Sequence, residues 1–283
     1  VTPLPMPTSP SVVAIHALYT GSDRGLAADL QAGRRLGLHV QPVCTSIVVA
    51  SHDTVTDVTD VPADTVGAQL EHLQRVIRWA GVKVGILGDF RTVHAVFDHL
   101  DEYDGFVVLD FIASGPTGET VLTQRGIDAL SERMKRADVV MLRRVDAELV
   151  TGGEIRSLDD AQVAAQRAHH RGAQRVLIKC GDLPARFYDA ADDPEAMSTG
   201  FTSDLYYDGE DYALFEAPTI ATDSRGASSV HGMALLGAMV QGQPLEDAFQ
   251  NAKRAVTDAL RYSSRNEMPS VVSYQHAYQN SPL

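Results

Sequence analysis

The segment VVMLRRVDAELVTGGEIRSLDDAQVAAQRAHHRGAQRVLIKC, residues 139–180, decides the fold class of this chain. It begins with the apolar run 139–142 and ends with a second run, 175–180, and both have the length of strands. Between them, a Ser-x-x-Asp capping box predicts a helix from Ser157 to about Arg171. Two apolar strands joined by a helix indicate a parallel strand pair with the helix packed on one face.

The same alternation of short apolar runs and amphipathic segments extends in both directions. Further strands are predicted at 11–17, within 40–50, at 82–87 and at 106–110, and further helices at 24–37, 62–77, 92–100, 124–137, 226–241 and 244–262. Asp208-Gly209 lies between two apolar runs and predicts a late hairpin, which adds antiparallel strands at one edge. We therefore expect an α/β fold: a three-layer sandwich with a mostly parallel central sheet and helices on both faces.

Composition limits the classes of partner. The chain has 283 residues and a net charge of −13, which disfavours nucleic acid and anionic lipid as partners. Its apolar runs are too short to span a membrane. We expect residues 1–10 to be a flexible arm without the features of a signal peptide, and 11–283 to be a single domain. Two cysteines, Cys44 and Cys180, are typical of a cytoplasmic protein with reduced thiols.

The distribution of charge leaves two interpretations open. Lysine occurs only at positions 83, 135, 179 and 253, and aspartate far outnumbers glutamate. A lysine-poor, aspartate-rich surface fits a protein that stays soluble in high salt. An ordinary acidic cytosolic protein fits the same composition equally well.

The strongest local signal for function lies late in the chain. A turn of small residues, Gly226-Ala-Ser-Ser229, opens directly into a helix rich in alanine, glycine and leucine. The free N–H groups and the positive dipole end of such a helix favour an anion, for example a phosphate in transfer. The alternative is a tightly packed helix entry with serine caps. The dinucleotide-binding glycine fingerprint does not follow the first strand, and the Walker A sequence is absent.

Several segments occur in the order in which a known kinase family carries similar ones. They are GLAADL at 25–30, VPADTVGAQL at 61–70, VGILG at 84–88, VVLD at 107–110, DAELVTG at 146–152 and VLIKCGDL at 176–183. Over residues 12–260 the chain resembles the hydroxymethylpyrimidine/phosphomethylpyrimidine kinases, which are close to pyridoxal kinase in the ribokinase-like class. The resemblance implies ATP-dependent phosphorylation of a hydroxymethyl group on a small pyrimidine or pyridine, in thiamine or B6 metabolism. The implied substrates are hydroxymethylpyrimidine, its phosphate or a B6 vitamer. ATP and Mg²⁺ are the implied cofactors, and a homodimer the implied assembly.

The resemblance also implies a catalytic site at the late turn. The family's His-Gly-Thr-Gly-Cys anion hole falls on Arg225, Gly226, Ala227, Ser228 and Ser229. Ser229 therefore occupies the position of the catalytic cysteine, and a serine hydroxyl cannot take a proton there without a neighbouring base. Asp223 is the reserve candidate for that base. His231 lies two residues beyond Ser229 on the helix and is not expected to activate it.

The nucleotide and metal sites implied by the resemblance fall on strand ends. Lys179 and Gly181 match the family's Val-Lys-Gly-Gly site, although Lys179 also fits a solvated strand end. Arg143 takes the place of the asparagine in the family's Asn-x-x-Glu, and Asp146 that of its glutamate. Asp146 and Asp110 are the candidate metal ligands, while Asp110 also fits a cap for nearby N–H groups.

The implied substrate site departs from the family pattern as well. Its candidate residues are Tyr19, Asp23 and Gly25 in the first loop and His52 after the second strand region. These departures leave a second hypothesis open: a catalytically impaired protein that keeps the kinase fold and has a binding or regulatory role.

Overall fold

The computed structural model describes residues 9–20, 24–51, 54–115, 120–181, 183, 200–222 and 225–265. These residues form one nine-stranded sheet. Its strands are β1 (Ser11–Thr20), β2 (His39–Ala50), β3 (Val55–Asp60), β4 (Gly81–Val84), β5 (Phe106–Phe111), β6 (Val139–Arg143), β7 (Val176–Gly181), β8 (Phe201–Tyr207) and β9 (Tyr212–Pro218). The helices are α1 (Gly25–Arg35), α2 (Ala63–Val76), α3 (Phe90–Leu100), α4 (Gln124–Arg133), α5 (Arg144–Thr151), α6 (Leu158–His170), α7 (Ala227–Val240) and α8 (Leu245–Arg265), and a 3₁₀ turn, Met134–Arg136, follows α4.

The sheet is parallel in its centre and antiparallel at both edges. Its order is β3-β2-β1-β4-β5-β6-β7-β8-β9, and the six strands from β2 to β7 in this order run parallel. β3 pairs antiparallel with β2, and the β8–β9 hairpin closes the other edge. The carboxyl ends of β1 and β4 to β7 therefore meet along one side of the sheet, where parallel α/β proteins place their ligands.

Two apolar cores cover the two faces of this sheet. On β5, Val107 and Leu109 pack into the core formed with α2 to α6, whereas Val108 packs into the core formed with α1, α7 and α8. Successive side chains of a strand point to opposite faces, so both faces of the central strands are buried. The predicted mostly parallel sheet with helices on both faces is confirmed.

Two elements have no counterpart in the sequence prediction. The edge strand β3 reads VTDVTD and is exposed over five of its six residues, so it lacks an apolar pattern. Helix α5 has only eight residues and follows β6 without a break. Helix α2 buries only a narrow stripe, because Val66 and Leu70 are fully buried while Val76 is 56% exposed.

The structure also bears on the expected N-terminal arm, the two cysteines and the absence of a membrane span. Residues 1–8 of the expected arm lie outside the described residues. Cys44 and Cys180 are both free thiols, the first half-buried and the second buried. In the described part of the chain, no helix combines the length and apolar character that crossing a membrane requires.

Candidate functional site

The turn before α7 depends on one glycine. Gly226 has a φ of +93°, a left-handed conformation that costs glycine nothing and strains other residues. Its carbonyl accepts from the amide of Val230 at 3.1 Å, which starts the helix. The first N–H groups of α7 have no acceptor within the helix, so the amides that follow Gly226 point out of its end. The expected turn is therefore formed in the structure, and its binding of an anion stays a prediction.

A cavity of about 120 Å³ lies beside this turn at the carboxyl edge of the sheet. It brings together predicted residues from four distant parts of the sequence, namely Tyr19, Gly25, Asp110, Arg143, Gly226, Ser228 and Ser229. Gly25 has to be small, because a Cβ there would lie 2.3 Å from the Ala17 carbonyl oxygen of β1. Residues that sequence reasoning did not propose complete the wall, namely His16, Arg24, Ile86, Ile112, Ser114 and Gly115.

Ser228 joins a buried ion pair at the edge of this cavity. The ammonium of Lys179 lies 2.9 Å from Asp110 Oδ1 and donates to Ser228 Oγ at 2.6 Å. The Ser228 hydroxyl donates in turn to Asp110 Oδ2 at 2.5 Å. Lys179 is therefore not a solvated strand end, and Asp110 bonds to the side chains of Lys179 and Ser228 rather than capping nearby N–H groups.

The charge of Asp110 is strongly stabilised. Burial by itself would raise the pKa of Asp110, but Lys179, Lys83 and the hydrogen bonds from Ser228 and Lys179 outweigh burial. Together they hold the pKa of Asp110 well below its usual range. Asp110 is therefore an ionised carboxylate and a weak base.

A second carboxylate and lysine form a buried pair near Ser229. Asp29 of α1 is paired with Lys83 of β4 at 2.9 Å, and burial raises the pKa of Asp29 although Lys83 and the Ser229 hydroxyl lower it. The side chains of Asp29 and Lys83 are both fully buried. Gly232 makes room for the lysine stem, since a Cβ on this residue would lie 2.6 Å from Lys83 Cε.

Sequence reasoning did not single out this second pair. Asp29 lies in the GLAADL match and Lys83 directly before the VGILG match, and both interrupt otherwise apolar segments. A charged residue within an apolar strand or helix stripe is the signal that could have identified them, because buried charges need a partner.

Arg143 and Asp146 form another closed pair. Arg143 contacts both carboxylate oxygens of Asp146, at 2.5 and 3.0 Å, and donates to the Ser114 carbonyl at 2.5 Å. Asp146 Oδ1 also accepts from the amide of Ala113 at 3.0 Å. Asp110 and Asp146 both have protein donors on their oxygens, so this arrangement does not fit a preformed magnesium site. Among the described residues no group of three His, Cys, Asp or Glu side chains could hold a metal ion.

His16 forms a neutral part of the cavity wall. Burial, followed by the charge of Lys83, holds the pKa of His16 well below the usual value, although Asp110 opposes this. Its Nδ1 accepts from the amide of Ala17 at 2.8 Å, which places the ring proton on Nε2. His16 therefore presents a hydrogen-bond donor. Nearby, the Arg24 guanidinium lies 5.3 Å from the centre of the Tyr19 ring and donates to the Ser51 carbonyl at 2.6 Å.

His231 belongs to a separate buried network. Its Nδ1 lies 3.8 Å from Asp204 Oδ2, which also pairs with Lys253 at 3.1 Å. Burial is the main cause that lowers the pKa of His231 to about 4. This pairing agrees with the expectation that His231 does not activate Ser229.

The remaining predicted residues divide into two groups. Arg225 and Ala227 flank Gly226 in the turn, and Gly181 ends β7 with a φ of +65°. Asp23, His52 and Asp223 lie outside the described residues, so their predicted roles stay predictions.

Comparisons with known proteins all point to the same kinase family. The family model described as phosphomethylpyrimidine kinase matches residues 20–271. A curated hydroxymethylpyrimidine/phosphomethylpyrimidine kinase from Aquifex aeolicus is 29% identical over 256 residues, which cover 89% of this chain and 95% of the relative.

Solved structures agree on the fold. The phosphomethylpyrimidine kinase of Clostridium difficile matches with a TM-score of 0.74 and 18% identity, over 89% of this chain and all of the other. The pyridoxal kinase of Staphylococcus aureus in complex with AMP-PCP and pyridoxal matches with a TM-score of 0.75 and 24% identity, over 90% and 89% of the two chains. The fold is therefore ribokinase-like, as the resemblance implied.

Proposed function

Because the chain belongs to the phosphomethylpyrimidine kinase family, a family of small-molecule kinases of thiamine and B6 metabolism, we propose that it uses ATP. The acceptor is the hydroxymethyl group of a small pyrimidine or pyridine: hydroxymethylpyrimidine, its phosphate or a B6 vitamer. We further propose that the enzyme is a cytoplasmic homodimer, as the resemblance implies.

One observation carries this proposal. The turn at Gly226, the Lys179–Asp110 pair and the first-loop residues Tyr19 and Gly25 all converge on one cavity or its edge. A kinase needs a phosphate site beside an acceptor site, because positioning and electrostatic stabilisation supply most of the catalysis of phosphoryl transfer. Here the amides after Gly226 supply the phosphate side, and the first loop supplies the acceptor side.

Within the described part of the chain, Lys179 has a donor left for a phosphate oxygen. An ammonium group carries three N–H donors, and two of them are directed to Asp110 and Ser228. The third is available to the nucleotide without breaking the ion pair. Since Asp110 and Asp146 do not fit a preformed metal site, we expect magnesium to arrive with the nucleotide. The roles of Asp110 and Asp146 as metal ligands stay predictions, most simply through metal-bound water.

A second candidate function is supported by the position of Ser229. A protein with serine at the cysteine position, and with Arg143 closed onto Asp146, could bind nucleotide or vitamer without transferring phosphate. Binding without turnover would give it a regulatory or carrier role.

The test is a coupled assay of ADP release with hydroxymethylpyrimidine, its phosphate, pyridoxal and pyridoxamine as acceptors. We expect turnover with at least one acceptor and a loss of at least roughly 100-fold in Lys179→Met. Lys135→Met is the matched control, because this exposed lysine lies in the 3₁₀ turn away from the cavity. Calorimetric binding of ATP without turnover on any acceptor would favour the second candidate.

A further inference from the structure

His16 is a buried polar side chain on the wall of the cavity. It lies on β1 four residues after Val12, which packs into the core formed with α1, α7 and α8, so both side chains point to that face of the sheet. The ring borders the cavity together with Ile86 and Asp110, and only 3% of His16 is exposed. A buried polar group at a cavity wall needs a hydrogen-bond partner for each of its polar atoms.

Two glycines make room for the imidazole ring. A Cβ at Gly85 would lie 2.5 Å from His16 Nε2, and a Cβ at Gly25 would lie 3.2 Å from His16 Nδ1. The ring therefore fills the space that side chains at these two positions would need. Its orientation is constrained by the backbone on both of its edges.

The two ring nitrogens have different roles. Nδ1 accepts a hydrogen bond from the amide of Ala17 at 2.8 Å, so the ring proton lies on Nε2. Among the described residues, this amide is the only hydrogen-bond partner of the His16 ring. The Nε2–H group is therefore a donor without an acceptor, which is costly in a buried position. A ligand in the adjoining cavity would supply the acceptor.

The size of the cavity and the charge of His16 limit what that ligand is. The cavity of about 120 Å³ is well below the roughly 300 to 1,000 Å³ that holds drug-sized ligands, and Ile86 and Ile112 make part of its wall aliphatic. Burial, followed by the charge of Lys83, holds the pKa of His16 well below its usual value, so the ring stays neutral. A small ring with an uncharged hydrogen-bond acceptor fits these conditions.

We propose that His16 is a specificity-determining residue whose Nε2–H group donates to a ring nitrogen of the substrate. This inference rests on the proposed kinase function, and it narrows the substrate class to hydroxymethyl compounds with an unprotonated ring nitrogen. The hydroxymethyl group then faces the turn at Gly226, which borders the same cavity, and the ring nitrogen faces β1. His16 takes no part in phosphoryl transfer. Its hydrogen bond forms equally in the bound substrate and in the transition state, so it acts on KM and not on kcat.

Two variants separate the roles of the two ring nitrogens. His16→Asn keeps an acceptor near the position of Nδ1 for the Ala17 amide and removes the donor at Nε2. We expect it to raise the KM for the hydroxymethyl substrate by roughly 3- to 10-fold, with kcat, the KM for ATP and Tm near their wild-type values. His16→Gln keeps a donor near the position of Nε2 and removes the acceptor for the Ala17 amide. It should lower Tm and leave the KM for the hydroxymethyl substrate near the wild-type value. A residue that only supports the backbone would give the reverse order.

A matched pair of small alcohols tests the ring nitrogen directly. 3-Pyridinemethanol and benzyl alcohol differ only in that atom, and both are used as competitors of the substrate that wild type phosphorylates best. The ratio of their inhibition constants should favour the pyridine roughly 3- to 10-fold more in wild type than in His16→Asn. Comparing the ratios cancels the different hydration of the two alcohols. If His16→Asn does not fold, the Nε2–H proton resonance of wild type provides the readout, and it should move downfield with the pyridine alone.

Two outcomes would overturn the role of His16 while leaving the kinase intact. One is an equal ratio of inhibition constants in wild type and His16→Asn, and the other is a raised substrate KM in His16→Gln alone. If wild type releases no ADP with any substrate, calorimetric dissociation constants of the two alcohols replace the inhibition constants. A ratio that depends on His16 would then support the binding site without the kinase activity, and a wild type that binds neither alcohol would contradict both proposals.

Discussion

Lys83 is the residue whose loss should destabilise this fold most clearly. Its ammonium is fully buried between α1 and α7 and lies 2.9 Å from Asp29, which is also fully buried. Its charge further stabilises the anion of Asp110. Lys83→Met keeps the length of the side chain and removes the charge, so it leaves Asp29 as an unpaired carboxylate in the core.

The magnitude follows from the burial of both partners. Removing one partner of a buried ion pair costs about 3 to 5 kcal/mol, because the remaining charge is not solvated. For a chain of this size, with an unfolding entropy of about 2.1 cal/mol/K per residue, that corresponds to a fall in Tm of roughly 5 to 8 °C. Asp29→Asn should destabilise the fold less, because the Lys83 ammonium still has the nearby carboxylate of Asp110. Asp29→Asn/Lys83→Met should recover to within about 2 kcal/mol of wild type, because it leaves neither charge unpaired.

The assay is chemical denaturation at pH 7.5, with Tm measured in parallel. We expect the order of stability wild type, double variant, Asp29→Asn, Lys83→Met, from highest to lowest. A Lys83→Met loss below about 1 kcal/mol would refute the burial argument, since that is the value of an exposed pair. A double variant no more stable than Lys83→Met would show that the lysine acts by packing against Gly232 rather than by charge.

Three further predictions concern pH, the turn and salt. The pKa of His231 is about 4 in the fold and about 6.5 in the unfolded chain, so the unfolded state takes the proton first. Stability should fall by up to about 3 kcal/mol as pH falls from 7 to 4, and by less in His231→Gln, as denaturation across that range will show. We expect sulfate to raise Tm beyond its general stabilising effect by binding at the turn. Gly226→Ala forces a side chain into a φ of +93° and should remove this extra rise, whereas Gly242→Ala, at a remote φ of +77°, should keep it. The excess of 37 − 24 = 13 negative charges should make Tm rise with KCl from roughly 0.05 to 1 M; a flat or falling curve would leave an ordinary acidic protein.

Periodicity predicted most of the fold because burial follows it closely. The apolar runs around Val108 and Val140 are buried on both faces, so they read as continuous strands. The edge strand β3 could not be predicted from periodicity, because its residues are mostly exposed and therefore show no apolar pattern. Its pairing depends on β2, which is a tertiary effect.

The sequence could predict where the candidate cavity lies but not its electrostatics. The turn at Gly226 and the end of β5 were located correctly. A left-handed turn requires a glycine, and a buried strand shows as an apolar run. The ion pair between Lys179 and Asp110 could not be predicted, because the two residues are 69 positions apart in the sequence and meet only through the register of the sheet. The same holds for Asp29 and Lys83, which are 54 residues apart.

The turn departs from the family pattern at two positions, Ser228 and Ser229, which differ in their contacts. Ser228 replaces a glycine, yet its hydroxyl fits between Lys179 and Asp110 while their direct contact stays at 2.9 Å. The left-handed conformation is carried by Gly226, so Ser228 can lie within the regular helix. The change at 228 therefore leaves the scaffold of the turn intact. Only the change at Ser229 bears on proton transfer, because a cysteine can act as a thiolate whereas a serine hydroxyl needs a neighbouring base.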